Sequence, residues 1–191
     1  NAKGAVTWMN GTTGLTGTLS DLNSLVGGAV GDRVGTTGIT ALTNGNYIVR
    51  SAFWGGGASA TAATSKGAIT WGSGTSGISG VVSSSNSLVG STAGDAVGYG
   101  AVGTGIGINT LSNGNAVIAS PMWGSGNGTT ANAKGAVTWI NGSTPLTPVT
   151  LDSSNSLVGG TTGDRVGSGP VIELSNGNYI VRSSYWGGGA S

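Results

Sequence analysis

The chain has no cysteine and no histidine. The first absence excludes a scaffold stapled by disulfides. The second removes the usual base of a serine nucleophile and leaves only Ser-Lys arrangements. Charge is scarce as well: 7% of the 191 residues are Asp, Glu, Lys or Arg, and the net charge is +1, where an ordinary globular chain carries about 25% charged residues. The lysines and arginines stand singly, so no basic patch offers itself to nucleic acid or to an anionic membrane. No apolar run approaches the ~18 residues of a membrane-spanning helix. Six carboxylates without a neighbouring base give no catalytic constellation. Neither an enzyme nor a cofactor is expected.

Glycine fills the space, with 40 residues, alongside serine, threonine and asparagine. That composition borders on a flexible linker. Yet 37% of the residues are hydrophobic, and they recur in clusters with tryptophan, which a disordered segment does not carry. Valine, isoleucine and threonine between turn residues predict an all-β fold. A chain that opens at Asn1 without a leader reads as a mature chain or a piece of a longer one. The cysteine-free Ser/Thr/Gly composition points to a bacterial extracellular or cell-surface protein.

The dominant feature is repetition. KGAVTW begins at Lys3, KGAITW at Lys66 and KGAVTW at Lys134, spaced by 63 and 68 residues. NSLVG begins at Asn23, Asn86 and Asn155. GDRVG at Gly31 becomes GDAVG at Gly94 and GDRVG at Gly163. NGNYIVRS at Asn44 returns at Asn176, with NGNAVIAS at Asn113 between them. We therefore read residues 1–191 as a single repeat array with units of about 3–65, 66–133 and 134–191. The longer spacing comes from GYGAVGTGIGI (98–108), a lengthened Gly-rich loop.

Each unit parses into four strands. GITAL (38–42) leads into Asn-Gly, a type I′ hairpin signal, and YIVRSAFW (47–54) returns. GAVTW is the third strand. LTGTLS (15–20), ISGVVS (78–83) or LTPVTL (146–151) is the fourth, and NSLVG carries the chain onward. In YIVRSAF, Tyr47 and Val49 face one way and Ile48 and Arg50 the other, with apolar residues on both sides. A strand covered on both faces does this. Four strands in about 63 residues is the plan of a β-propeller blade; a β-solenoid or another stacked β array is the alternative. Three blades are too few to close a propeller. Strands 1–2 at one end and strands 3–4 at the other are complementary halves that complete a blade between chains, in a ring or a filament. The expected partners are copies of the chain itself or adjacent repeats of a longer one.

The phrase order GDRVG, L-x-NGN-YIVRS, WGGG, KGAVTW-x-NG resembles the FG-GAP repeat of integrin-α-type β-propellers. GAVTWINGST and SSSNSLVGSTAGD are similar to tandem repeats of giant bacterial secreted proteins of the filamentous-haemagglutinin or adhesin type. The resemblance implies a propeller blade or a β-helical region, an extracellular setting, and a structural or adhesive role. FG-GAP loops hold calcium on carboxylates. Here the matching positions are Asn44-Gly45-Asn46, Asn113-Gly114-Asn115 and Asn176-Gly177-Asn178. Calcium wants several charged oxygen ligands, so the metal site is not carried over.

Other positions need weighing. Asp32, Asp95 and Asp164 are expected to accept turn N–H groups or to pair with basic side chains. Arg33 with Arg50, and Arg165 with Arg182, give way together to Ala96 and Ala119 in the middle copy. Asp95 must then be solvated, backbone-bonded or paired with Lys66. Arg50 and Arg182, with Tyr47 and Tyr179, are expected on one exposed or interfacial face that contacts a partner. Trp8, Trp71 and Trp139 read as packing between repeats. Trp54, Trp123 and Trp186 sit at glycine turns, where they either pack or stack on sugars; glycans are therefore the alternative partner, in a lectin-like propeller. Asn10, Asn127 and Asn141 lie in N-G-[ST] sequons that matter only in a eukaryotic secretory pathway.

Overall fold

The computed structural model describes residues 2–100, 107–147 and 149–187. The expected loop at 98–108 thus lies partly outside the described residues. Those described form only β-strands and one 3-10 turn at Thr130–Asn132. The strands are β1 (Ala5–Val6), β2 (Leu25–Val26), β3 (Ile39–Ala41), β4 (Tyr47–Ser51), β5 (Ala68–Gly72), β6 (Gly80–Val81) and β7 (Ser87–Val89). They continue as β8 (Ile108–Thr110), β9 (Ala116–Ser120), β10 (Ala136–Ile140), β11 (Val149–Thr150), β12 (Leu157–Val158), β13 (Val171–Glu173) and β14 (Tyr179–Val181). The fold is an all-β array of tandem repeats.

The Asn-Gly phrases make the hairpins β3–β4, β8–β9 and β13–β14. The turn differs from the expected type I′. Leu42 N donates to Asn46 O at 2.7 Å and Gly45 N to Leu42 O at 3.0 Å, so three residues lie between the closing pair. Gly45 has φ +89°, whereas the non-glycine residues with positive φ among those described are Arg33, Ala96 and Arg165. Asn44 is therefore not left-handed. One glycine takes the whole conformational load, as in a type I turn completed by a glycine bulge. The Asn44 carboxamide oxygen accepts from Asn46 N at 3.1 Å and holds the loop shut.

The repeat unit is an antiparallel meander, seen in full in β8–β9–β10–β12 and β3–β4–β5–β7. The fourth strand is not the one expected. It comes from NSLVG, with Ala68 opposite Val89 and Ile69 opposite Leu88. ISGVVS and LTPVTL instead cross to the preceding sheet. There β6 runs parallel to β2 and β11 parallel to β7, with Val149 opposite Leu88. The asparagine of NSLVG redirects the chain. Asn86 Nδ2 donates to Val81 O at 2.9 Å while its Oδ1 accepts from Ser83 N at 3.0 Å. Asn23 and Asn155 repeat both bonds. The second and third repeats thus each lend a strand to the one before.

The sheets stack with apolar cores between them, and β4 contributes to two. Ile48, Ile69 and Leu88 face Ala116, Ile118, Ala136 and Ile140 of the next sheet. Val49, Ala68 and Val89 face Val6, Leu25 and Val34 of the previous one. A third core joins Val117, Ala119 and Val137 to Val171, Tyr179 and Val181. This explains the blurred alternation of YIVRS: every residue from Ile48 to Ser51 is buried.

Candidate functional site

The Gly-Asp phrases lie at the junctions between repeats. The chain turns through Gly31, Gly94 and Gly163, all at positive φ, and then through Arg33, Ala96 and Arg165, also at positive φ. For a residue with a Cβ that costs about 1–2 kcal/mol, so the surroundings must over-determine the turn. The aspartate does so. Asp32 Oδ2 accepts from Ala29 N at 2.8 Å and Oδ1 from Gly55 N at 3.1 Å. Asp164 binds Thr161 N, the Thr161 hydroxyl and Gly187 N. Asp95 takes Ser91 N, Thr92 N, both of their hydroxyls and Gly124 N. One carboxylate oxygen closes its own loop. The other reaches the glycine after the next hairpin's tryptophan. Asp32, Asp95 and Asp164 are 3, 1 and 2% exposed, and loop donors occupy them rather than Arg or Lys. That answers how Asp95 tolerates the loss of both arginines.

These bonds have a pH signature. The Thr161 N–H, then the Gly187 N–H, hold the Asp164 carboxyl below its ordinary value. The Ser154 hydroxyl and N–H do the same for exposed Asp152. A depressed folded-state pKa means that the unfolded chain binds protons first as pH falls. The stabilisation is fully present above the unfolded aspartate value of about 3.9 and is lost as pH drops through the folded values. Urea melts are expected to be flat from neutrality to about pH 5 and to weaken below about pH 4. The Asp164→Asn variant should show a shallower acid limb; an acid limb unchanged by it would refute the assignment.

Tryptophans form the second joint. Trp8 Nε1 donates to Gly74 O at 3.1 Å and Trp71 Nε1 to Gly142 O at 2.9 Å, each reaching into the following repeat. The hairpin loops meet the same glycines. Asn46 Oδ1 accepts from Gly74 N and its Nδ2 donates to Gly142 O at 2.8 Å, while Asn115 Oδ1 accepts from Gly142 N. Trp54 donates to Val82 O at 3.2 Å, fastening the lent strand. Trp123 packs on the central core, and Trp186 is 72% exposed on the last hairpin. Only Trp186 of that second trio stands open for stacking.

The Tyr and Arg of NGNYIVRS are not on one exposed face. Tyr47 is half-buried and packs over Gly72, and burial raises its phenol above the ordinary value. Arg50 is 4% exposed. Its Nη1 donates to Gly100 O at 3.3 Å and lies beside Gly107, and burial lowers its pKa. Arg182 holds the same place in its phrase, just past β14, but is exposed, and Tyr179 is half-buried. The loop arginines stack instead: Arg33 lies 5.4 Å from the Phe53 ring centroid and Arg165 4.4 Å from that of Tyr185. The middle copy has Ala96 and Met122 at those places. Paired presence of an arginine and a ring, read in frame, was the signal for this contact. Asn113, Gly114, Asn176 and Gly177 hold the other two hairpin loops. Among the described residues no group of three or more His, Cys, Asp or Glu is placed to hold a metal ion, and no helix is long and apolar enough to cross a membrane.

Sheets joined by aspartate, tryptophan and lent strands define a tandem β-repeat array. The chain belongs to the family described as a repeat of unknown function (DUF5650), which matches residues 1–36, 41–99, 110–168 and 173–191. Each Asp-to-glycine bond spans a boundary between two matched stretches. The match is to this repeat and carries neither the FG-GAP nor the adhesin identity. No curated protein and no solved structure matches the chain.

Proposed function

We propose that the chain is a structural and adhesive repeat module of a bacterial extracellular or cell-surface protein, one that performs no catalysis. One observation carries this reading: the side chains with chemical potential are used up in joints. Asp32, Asp95 and Asp164 spend their oxygens on loop donors, and Trp8 and Trp71 spend their indoles on neighbouring glycines. What remains outside is a surface low in charge, where Ser, Thr and Asn stand among exposed apolar side chains such as Leu22 and Trp186. The resemblance to filamentous-haemagglutinin-type and FG-GAP repeats supports the extracellular setting.

A carbohydrate-binding module is the second reading. A cleft of about 310 Å³ lined by Tyr99, Pro121, Met122, Arg165 and Tyr185 favours it. Rings flanked by one cation suit an acidic sugar. A glycan array separates the two. The structural reading expects no saturable binding. Saturable binding that is abolished by Tyr185→Ala would replace it with the second.

A further inference from the structure

Arg165 carries a donor that the joints between repeats do not use. Its Nε is buried and has no hydrogen-bond acceptor. Buried polar groups are ordinarily paired, and an exception asks for a partner. The guanidinium is engaged through its flat face instead, with Cζ 4.4 Å from the Tyr185 ring centroid. Stacking of that kind leaves the in-plane N–H groups available to an anion. The neighbouring Asp164 supplies none, because its carboxylate is committed to Thr161 and Gly187.

The space beside Arg165 comes from the residues of one interior joint. Ser168 in the third repeat holds the position of Tyr99 in the second, and Met122 that of Phe53 in the first. Where the first repeat meets the second, Tyr99 packs edge-on against Phe53, with ring centroids 6.3 Å apart. Where the second meets the third, both counterparts lack a ring, and Ser168 and Met122 line a cleft of about 310 Å³. The second repeat also contributes Tyr99 and Pro121 to its walls, and the third Arg165 and Tyr185. The cleft thus lies between repeats and not at an end of the array. No carboxylate lines it, so the cation there is uncompensated.

We propose that this cleft docks an extended segment of a partner protein that presents a carboxylate beside an apolar side chain. The proposal rests on the reading of the chain as an adhesive module and gives that module a point of contact. The carboxylate meets the unpartnered Nε–H of Arg165 and the Nη–H next to it, a bidentate pair that is charge-assisted on both sides. The apolar side chain lies against Pro121, Met122 and the tyrosine rings. Met122 suits that role, because an unbranched thioether adjusts to the shape it meets. A sugar suits these walls less. It carries a hydroxyl on most of its carbons, and each one needs a partner on leaving water, whereas rings, a proline and a thioether make up most of the lining.

Two peptides and one sugar test this, read by NMR at the Arg165 Nε–H and the Tyr185 ring. The peptide acetyl-Leu-Glu-Leu-amide is expected to shift both saturably, with a Kd of about 1 mM. Acetyl-Leu-Gln-Leu-amide has the same shape without the charge and should bind about tenfold more weakly. Arg165→Ala should fold normally, since Ala96 holds the same left-handed turn in the second repeat, and should lose the preference for the charged peptide. Ser168→Tyr keeps Arg165 but restores the ring that fills the preceding joint, so it should abolish binding. Equal affinity for the two peptides overturns the proposal, and so does binding retained by a folded Ser168→Tyr. Glucuronate that saturates the site where the charged peptide does not overturns it in favour of an acidic sugar. No shift with any probe at about 10 mM also overturns it, while the structural reading, which rests on the joints, stays in place.

Discussion

Asp95→Ala is expected to lose about 3–5 kcal/mol of stability in urea unfolding. The carboxylate is 1% exposed, and its two oxygens satisfy three backbone N–H groups and two hydroxyls. The hydroxyls can rotate to other partners; the backbone donors cannot. An unsatisfied buried donor costs about 1–3 kcal/mol. Removing the acceptor also frees Ala96, whose left-handed conformation the loop enforces. Asp95→Asn sharpens the test. Oδ2 serves Ser91 N and Thr92 N, but Oδ1 serves one backbone donor, Gly124 N. The amide nitrogen is therefore expected to turn toward Gly124. Amide exchange should accelerate at Gly124 while Ser91 and Thr92 stay protected. Equal loss of protection at all three would mean that the carboxylate does not divide its work between its own loop and the next repeat.

The same loop shows what was legible in the residues alone. Asp95 without its arginines poses a stranded charge with three ways out, water, backbone or Lys66, and the choice of backbone donors depends on loops that only the fold brings together. Hairpins were legible because Asn-Gly restricts the backbone locally. Their turn type was not, because it depends on Leu42 and Asn46 closing the loop, a matter of one residue of register. Trp8 and Trp71 were legible as packing residues from their period; their acceptors, Gly74 and Gly142, lie in other repeats. The fourth strand was misplaced because ISGVVS and NSLVG are equally β-prone. What decides between them is tertiary: the Asn86 side chain turns the chain, and the edge of the preceding sheet accepts it. Arg50 is expected on an exposed or interfacial face; strand alternation does not reveal that Gly100, fifty residues away, supplies a carbonyl to its buried guanidinium.

Gly67→Ala is expected to be at least as damaging, with a loss above about 4 kcal/mol and a fraction of the chain failing to fold. Two independent penalties meet at this residue. Its φ is +76°, and a Cβ would overlap the backbone N and O of Val97 and come within 2.6 Å of the Ala96 carbonyl carbon. Those atoms cannot move freely. Gly67 and Val97 form a parallel bridge, Val97 N donates to Lys66 O at 2.9 Å, and Gly90 N donates to Gly67 O at 3.1 Å. Backbone thus closes on the glycine at the point where KGAITW meets GDAVG. Two other glycines separate the penalties. Gly45 has φ +89° and open space around it, so Gly45→Ala should cost only the conformational share, about 1–2 kcal/mol. Gly74 is not left-handed, but a Cβ there would overlap the Gly45 carbonyl and approach Asn46 N at 3.4 Å, so Gly74→Ala measures the loss of close approach between a hairpin and the turn stacked on it. If conformation alone governed these sites, Gly67→Ala and Gly45→Ala would be equally stable and Gly74→Ala would be silent. The geometry requires the order Gly67, Gly74, Gly45 from most to least destabilised, because close backbone approach at the repeat joints is what the abundant glycine makes room for.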